Sequence, residues 1–258
     1  MSTEMLRLAA AQISSGSDPT ENLRTIEAEA ARAAEAGARL VAFPEASMAC
    51  FGTDLPAVAE PLDGAFATGV RECAARLGVT LVVGMFEPAD DGRVHNTLLA
   101  TGGGVEASYR KIHLFDAFGS RESDLVAPGS DLVTIDVDGV SVGLATCYDL
   151  RFADQFTALG RAGAQVVVVP ASWGDGPGKE GQWDLLTRSR AMDAQAFLLA
   201  CDQAWRPAEG TDPLGVGRSC LVDPLGVVRD RLDQAAGLLL GDADPQVVAD
   251  VRARVPIL

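Results

Sequence analysis

Histidine, lysine and long apolar runs are all scarce in this sequence, and each shortage closes off a class of function. Its two histidines, His95 and His113, stand far apart, which argues against an ordinary zinc site, and no metal is expected. No apolar run approaches the roughly 20 residues that cross a bilayer. The valine block Val166-Val167-Val168-Val169 is predicted to end at Pro170. The start of the chain has neither the cationic segment nor the apolar stretch of a secretory leader, so none is expected. Positive charge is short as well. The 21 lysines and arginines face 36 aspartates and glutamates, and the net charge of −15 disfavours nucleic acid or an anionic membrane as partner. Five cysteines (Cys50, Cys73, Cys147, Cys201 and Cys220) form an odd set without paired spacing, the pattern of reduced thiols in a cytoplasmic protein.

What is present alternates. The 258 residues hold no Ser/Gly-rich linker, charge block or low-complexity tract, which predicts one domain over residues 1–258. Leu6 to Ile13 reads as a buried strand, followed by a helix from Asp18-Pro19 to about Ala36 that Gly37 stops. Further strands are predicted at Leu40–Phe43, Thr80–Phe86, Val94–Ala100 and Val105–Tyr109, with a helix over Thr68–Leu77. Asp138-Gly139 marks a hairpin. Helices follow at about Phe152–Arg161, Glu180–Ala194 and Gln246–Ala253. One segment echoes another: Gly37-Ala38-Arg39-Leu40-Val41-Ala42-Phe43-Pro44 is matched by Gly163-Ala164-Gln165-Val166-Val167-Val168-Val169-Pro170. The pattern predicts an α/β fold of two similar βα halves, with ligands beyond the carboxyl ends of the strands, where Glu45, Cys147 and Ser172 would stand.

Lysine scarcity makes Lys111 informative, since the other cations, apart from Lys179, are 19 arginines. A compact ammonium enters narrow sites that a planar guanidinium cannot. Cys147 lies where the strand Val140–Thr146 is expected to give way to a helix, the layout of a nucleophile elbow. A helix start favours thiolate over thiol, and the Tyr148 amide is positioned to hold an oxyanion. Glu45, just past its strand and partly desolvated, has the character of a base with a raised pKa. Each residue also has a plain reading: a buried structural cysteine, a surface lysine, a solvated glutamate. A Cys147–His113 dyad is a further arrangement that spacing leaves open.

Phe43-Pro44-Glu45, Tyr109-Arg110-Lys111-Ile112-His113-Leu114-Phe115-Asp116 and Cys147-Tyr148-Asp149-Leu150-Arg151-Phe152 resemble the three motif blocks of the nitrilase superfamily of carbon–nitrogen hydrolases. The likeness continues through Arg121-Glu122-Ser123, Trp183 to Ala191 and Ser219 to Gly226. It implies a four-layer α-β-β-α sandwich with a Glu45–Lys111–Cys147 triad and Glu122 as an additional glutamate. By that resemblance Glu45 deprotonates Cys147 and later a water, and Lys111 stabilises the oxyanion. The thiol attacks an amide carbon, ammonia leaves, and water frees the acid from a thioester. No cofactor is implied, and His113 becomes structural.

Asp116-Ala117-Phe118, Ala171-Ser172-Trp173 and Gly176 to Glu180 are similar to the bacterial deaminated-glutathione amidase branch. The alternatives are omega-amidases acting on 2-oxoglutaramate or 2-oxosuccinamate, N-carbamoyl amidohydrolases, or a non-catalytic scaffold. A small carboxylate-bearing amide needs a basic anchor, for which Lys179 and then Arg151 are candidates, with Ser172 and Trp173 completing the substrate-binding set. Gln182, Asp184, Arg218 and the stop at Leu258 depart from the usual pattern. The resemblance implies a homodimer or larger assembly.

Overall fold

The computed structural model describes residues 5–206 and 215–258; the first four residues of the segment inspected for a leader lie outside that range. In chain order the elements are β1 (Leu6–Gln12), α1 (Pro19–Glu35), β2 (Leu40–Ala42), α2 (Leu55–Val58), α3 (Ala65–Leu77), β3 (Thr80–Pro88), β4 (Val94–Gly102) and β5 (Val105–Arg110). Then come β6 (Val133–Val137), β7 (Val140–Leu144), α4 (Ala153–Arg161), β8 (Val166–Ala171), α5 (Lys179–Ala194) and β9 (Phe197–Asp202). The chain finishes with β10 (Cys220–Val222), β11 (Val228–Arg231), β12 (Gly237–Ala243) and α6 (Pro245–Arg254). Among the described residues no helix is long and apolar enough to cross a membrane.

The strands form two six-stranded sheets, ordered β12-β1-β2-β3-β4-β5 and β11-β10-β9-β8-β7-β6. In each, three adjacent strands run parallel (β1-β2-β3 and β7-β8-β9) and the outer pairings are antiparallel. The sequence echo falls on equivalent strands, β2 and β8, so the two halves share one plan.

Period-2 alternation builds the layers. Leu8 and Ala10 of β1, Leu40 of β2, Val142 and Leu144 of β7, Val168 of β8 and Leu199 of β9 meet between the sheets. Their neighbours face outward. Ala9, Ala11, Val41 and Leu81 pack on Ile26, Ala30, Phe66 and Val70 of α1 and α3. Val167, Val169 and Leu198 pack on Phe156, Leu159, Trp183 and Ala191 of α4 and α5. The result is the α-β-β-α sandwich, and each large apolar side chain fully buried in it contributes about 1.5–3 kcal/mol.

Two expectations need correction. Helix α3 starts three residues before the predicted Thr68, because Glu60 reaches forward to accept the Phe66 amide at 2.9 Å, a cap too distant in sequence to be read as one. Pro170 does not end β8, which continues to Ala171. Pairing with β7 stops at Leu144–Val168, whereas pairing with β9 runs on to Ala171–Asp202. The missing N–H of Pro170 lies on the side where β7 has already ended, so no ladder bond is lost.

Candidate active site

Glu45, Lys111 and Cys147 come together at the carboxyl ends of the parallel strands, each on a turn that the sheets hold rigidly. Pro44 ends β2, and Ala46 takes a left-handed φ of 58°. The tight turn lies against Gly84 of β3, where a Cβ would sit 2.7 Å from both Ala46 N and Pro44 O. Gln203 donates to Glu45 O at 2.9 Å, and the Ser172 amide donates to Glu45 Oε2 at 2.9 Å. Lys111 follows β5; its amide donates to Asn96 O and its carbonyl accepts from Gly129, each at 2.8 Å.

The charges are buried and paired. Side-chain exposure is 1 % for Glu45 and 2 % for Lys111, so neither is a solvated surface group. Lys111 Nζ donates to Glu45 Oε1 at 2.8 Å and to Glu122 Oε2 at 2.9 Å, with Glu122 Oε1 at 3.1 Å. Burial alone would lower the Lys111 pKa, but the carboxylates of Glu122 and Glu45 overcome it and carry it well above its ordinary value. The Phe115 amide donates to Glu122 Oε2 at 2.6 Å and holds this second carboxylate beside Lys111.

Cys147 has a φ of 42°, a strained value for a residue with a Cβ, as an elbow requires. The turn after it is a short 3₁₀ segment, Cys147–Arg151, and helix α4 begins only at Ala153. The helical start at the sulfur is therefore this single 3₁₀ turn and not an α-helix. Burial, followed by the neighbouring charge of Glu45, pushes the thiol pKa well up, against the opposing pull of Lys111. These surroundings favour the thiol form of Cys147 over the thiolate, with the Glu45 carboxylate and the Lys111 ammonium acting on it in opposite directions. The Tyr148 amide has no partner among the described residues.

His113 stands apart from this chemistry. Its Nδ1 lies 2.8 Å from Asp149 Oδ1, and its ring stacks on Phe152 at 3.6 Å. Asp149 also accepts from Tyr109 Oη at 2.5 Å and from the Thr146 amide at 2.8 Å, fastening the Lys111 segment to the Cys147 elbow. These ties remove the basis for a Cys147–His113 dyad.

A cavity of about 440 Å³ opens over the sulfur. Its lining includes Glu45, Lys111, Glu122 and Cys147, the polar and aromatic Arg151, Ser172, Trp173 and Lys179, and the apolar Phe51, Leu55, Leu125 and Val126. Lys179 Nζ lies 4.5 Å from the Phe118 ring centre, 5.2 Å from Phe115 and 5.6 Å from Trp173. Arg151 lies 5.0 Å from the centre of the Trp173 ring, while its Nη2 donates to Gln182 Oε1 at 2.6 Å. Among the described residues no cluster of three or more His, Cys, Asp or Glu side chains is arranged to hold a metal ion.

The family model for carbon–nitrogen hydrolases matches residues 7–253. The chain belongs to that family. Hydrolase Rv0480c of Mycobacterium tuberculosis is 48 % identical over 98 % of this chain and 94 % of its own length. Deaminated glutathione amidase of Escherichia coli O157:H7 is 34 % identical over 88 % of this chain and 86 % of its own. Among solved structures, Nit3 of Saccharomyces cerevisiae, of the nitrilase superfamily, superposes with a TM-score of 0.88 at 25 % identity, covering 99 % and 96 % of the two chains. This hydrolase is an amidase-type enzyme of that superfamily.

Its departures are mutually consistent. Gln182 holds Arg151, and Asp184 pairs with Arg218 at 2.6 Å and with Arg231 at 3.1 Å, so the unusual acid and base answer one another. The sequence reading passed over Asn96, Asp149 and Gln203. Asn96 carried the faint signal: a polar residue with poor strand propensity in the middle of Val94–Ala100.

Proposed function

We propose that this amidase cleaves a linear amide in a small carboxylate-bearing acid through a Cys147 thioester, and that deaminated glutathione is its lead substrate. One observation carries the reading. A buried thiol, with a carboxylate and an ammonium beside it, lines a cavity that also bears the cations Lys179 and Arg151. The volume lies within the roughly 300–1,000 Å³ of pockets that take drug-sized ligands. Such room suits an acyl chain joined to a dipeptide better than a four- or five-carbon oxo-acid amide. Similarity to a deaminated glutathione amidase supports the same choice.

In this mechanism Cys147 gives its proton to Glu45 as the sulfur attacks the carbonyl carbon. The negative oxygen is held by Lys111 and the Tyr148 amide. Collapse breaks the C–N bond, and the departing nitrogen takes the proton from Glu45. A water then loses a proton to Glu45, attacks the thioester and frees the carboxylic acid, and the thiol is restored. Glu122 keeps Lys111 aligned. Lys179 and Arg151 bind the far carboxylate, with Ser172 and Trp173 along the acyl chain.

The leaving group corrects one expectation. In deaminated glutathione the amide nitrogen belongs to cysteinylglycine, so that dipeptide departs; ammonia leaves only from a primary amide such as 2-oxoglutaramate. The purified enzyme is therefore given each compound in turn, with cysteinylglycine and ammonia measured separately. Dipeptide release at the higher kcat/KM is the expected result, whereas preferential ammonia release assigns an omega-amidase. Cys147→Ala abolishes either activity on this reading, and turnover that survives it removes the thioester from the mechanism. The five cysteines, none in a disulfide, suit a reducing compartment and hence the cytoplasm. A dimer or larger assembly is the expected state, which light scattering reads.

A further inference from the structure

We infer that Asn96 is a positioning residue for the base, and that with the Ser172 amide it leaves Oε2 of Glu45 as the oxygen that receives the Cys147 proton. The inference rests on the reading of Glu45 as the base for that thiol. A carboxylate offers about four lone-pair sites, two on each oxygen. Both sites of Oε1 are taken, by Lys111 Nζ at 2.8 Å and by Asn96 Nδ2 at 2.7 Å. Oε2 accepts one bond, from Ser172 N at 2.9 Å. One site remains, and it is on Oε2.

The orientation of the Asn96 amide is forced by its surroundings. Its Nδ2 also donates to Glu122 Oε1 at 3.2 Å, so both partners accept only and the nitrogen must face them. The opposite end confirms the one-sided use: Oδ1 is buried and has no hydrogen-bond partner among the described residues. An orphaned acceptor lowers stability. What the side chain provides is a neutral donor between two carboxylates that share one ammonium. Asn96 is 1 % exposed and does not line the cavity, so it acts through Glu45 and not on substrate.

Hydrogen bonds to a charged group favour its charged form. Loss of the Asn96 donor therefore removes one of the three bonds that hold the Glu45 carboxylate as a proton acceptor. The other groups around the pair are Lys111 and Glu122 against Glu45, with Asp202 behind both Glu45 and Cys147 and Lys179 on the cavity side of the sulfur.

The test is the pH dependence of Cys147 alkylation by iodoacetamide, followed by the mass of the peptide bearing that residue, with no amide present. In Asn96→Ala the acid limb is expected to move to higher pH. Asn96→Asp, which replaces the donor with a third carboxyl group, moves it further. Asn96→Ser, which keeps a hydroxyl donor, falls between the wild type and Asn96→Ala. A merely structural role lowers the thermal midpoint and changes the rate evenly across pH. An acid limb unmoved in Asn96→Ala and Asn96→Asp overturns the inference, and if Asn96→Asp fails to fold, the alanine and serine variants decide it. Glu45→Gln separates the two levels. A limb lost there but unmoved by the Asn96 changes sinks only the present inference; a limb that survives Glu45→Gln sinks the base assignment and the inference together.

Discussion

The two halves of the sandwich share a strand order yet carry opposite kinds of polarity. The half built on β1–β5 supplies Glu45, Asn96 and Lys111, all at most 2 % exposed and tied to one another by hydrogen bonds. The half built on β7–β11 supplies the thiol, and Arg151 and Lys179 line the same cavity with their charges against aromatic faces. On the proposed mechanism one plan is divided, the first half for moving protons and the second for bond-making and for holding the acid. The division has a kinetic meaning. Damage to the first half should appear in kcat, and loss of the cavity cations Lys179 and Arg151 in KM.

The largest effect should follow Lys111→Met. It removes a developing-charge donor, which costs on the order of 10²–10³ in kcat. It also leaves Glu45 and Glu122 buried without their shared cation, a loss of about 3–5 kcal/mol in stability. Urea unfolding and steady-state kinetics on one preparation read both. Lys111→Arg should not restore activity, because a planar fork does not fit a site built round a point charge. The folded pKa of Lys111 lies above its ordinary 10.5, so the ammonium's contribution is fully present below that value and is lost as pH rises through the folded pKa. A Lys111→Met enzyme with normal kcat and raised KM would break the division between halves.

Next comes Gly84→Ala. The new methyl meets Ala46 N and Pro44 O at 2.7 Å and Glu45 Cα at 2.9 Å, all backbone atoms that cannot turn aside. Overpacking of this kind costs about 1–3 kcal/mol. Because the displaced backbone carries Glu45, kcat should fall by about tenfold, the order that small misplacements of reacting groups bring, with KM nearly unchanged. Thermal melting and kinetics test it together, and an unaltered kcat in a destabilised protein would show that the Glu45 turn tolerates movement.

Much of this was legible before any coordinates. The βα alternation and the repeat of Gly-Ala-x before β2 and β8 marked two like halves, because buried strands and helix stops leave strong local signals. Glu45, Lys111 and Cys147 were marked by motif and by the rarity of lysine. What escaped depends on distant partners. The Glu60 cap of α3, the end of β7 beside Pro170, and the tie from Asp149 to Tyr109 across 40 positions are set by tertiary placement. The environment of the thiol was equally hidden: burial and the charge of Glu45, which push the Cys147 pKa up, come from residues outside the local segment.

Lys179→Met tests the second half and should be milder. It deletes one of the two cations proposed to hold the substrate carboxylate, so KM should rise about tenfold, in line with a single charge-assisted hydrogen bond, while kcat changes little. Burial and the neighbouring Arg151 lower the pKa of Lys179 below the usual 10.5. As pH rises through that lowered value the cation is lost, so wild-type KM should climb at alkaline pH sooner than for an ordinary lysine, and the climb should be absent in Lys179→Met. A fall in kcat with KM unchanged would move Lys179 from holding the acid into the chemistry.

The smallest effect concerns how the halves are joined. Arg39, just ahead of β2, meets Asp138 in the β6–β7 turn with Nε 2.7 Å from Oδ2 and Nη2 3.2 Å from Oδ1, a two-pronged bridge across the sheets. Both side chains are about half exposed, so solvent and salt screen the pair, and Asp138→Asn should cost no more than about 1 kcal/mol. The Arg39 hydrogen bond lowers the Asp138 pKa. Its contribution is therefore present above the ordinary carboxylate value of 3.8 and is lost as pH falls through the folded pKa. If denaturation shows the small loss, and added salt removes it, cohesion between the halves resides in the apolar layer where β1, β2, β7 and β8 meet. A loss several times larger would mean that the polar seam, and not that layer, keeps the proton-handling half aligned with the half that binds substrate.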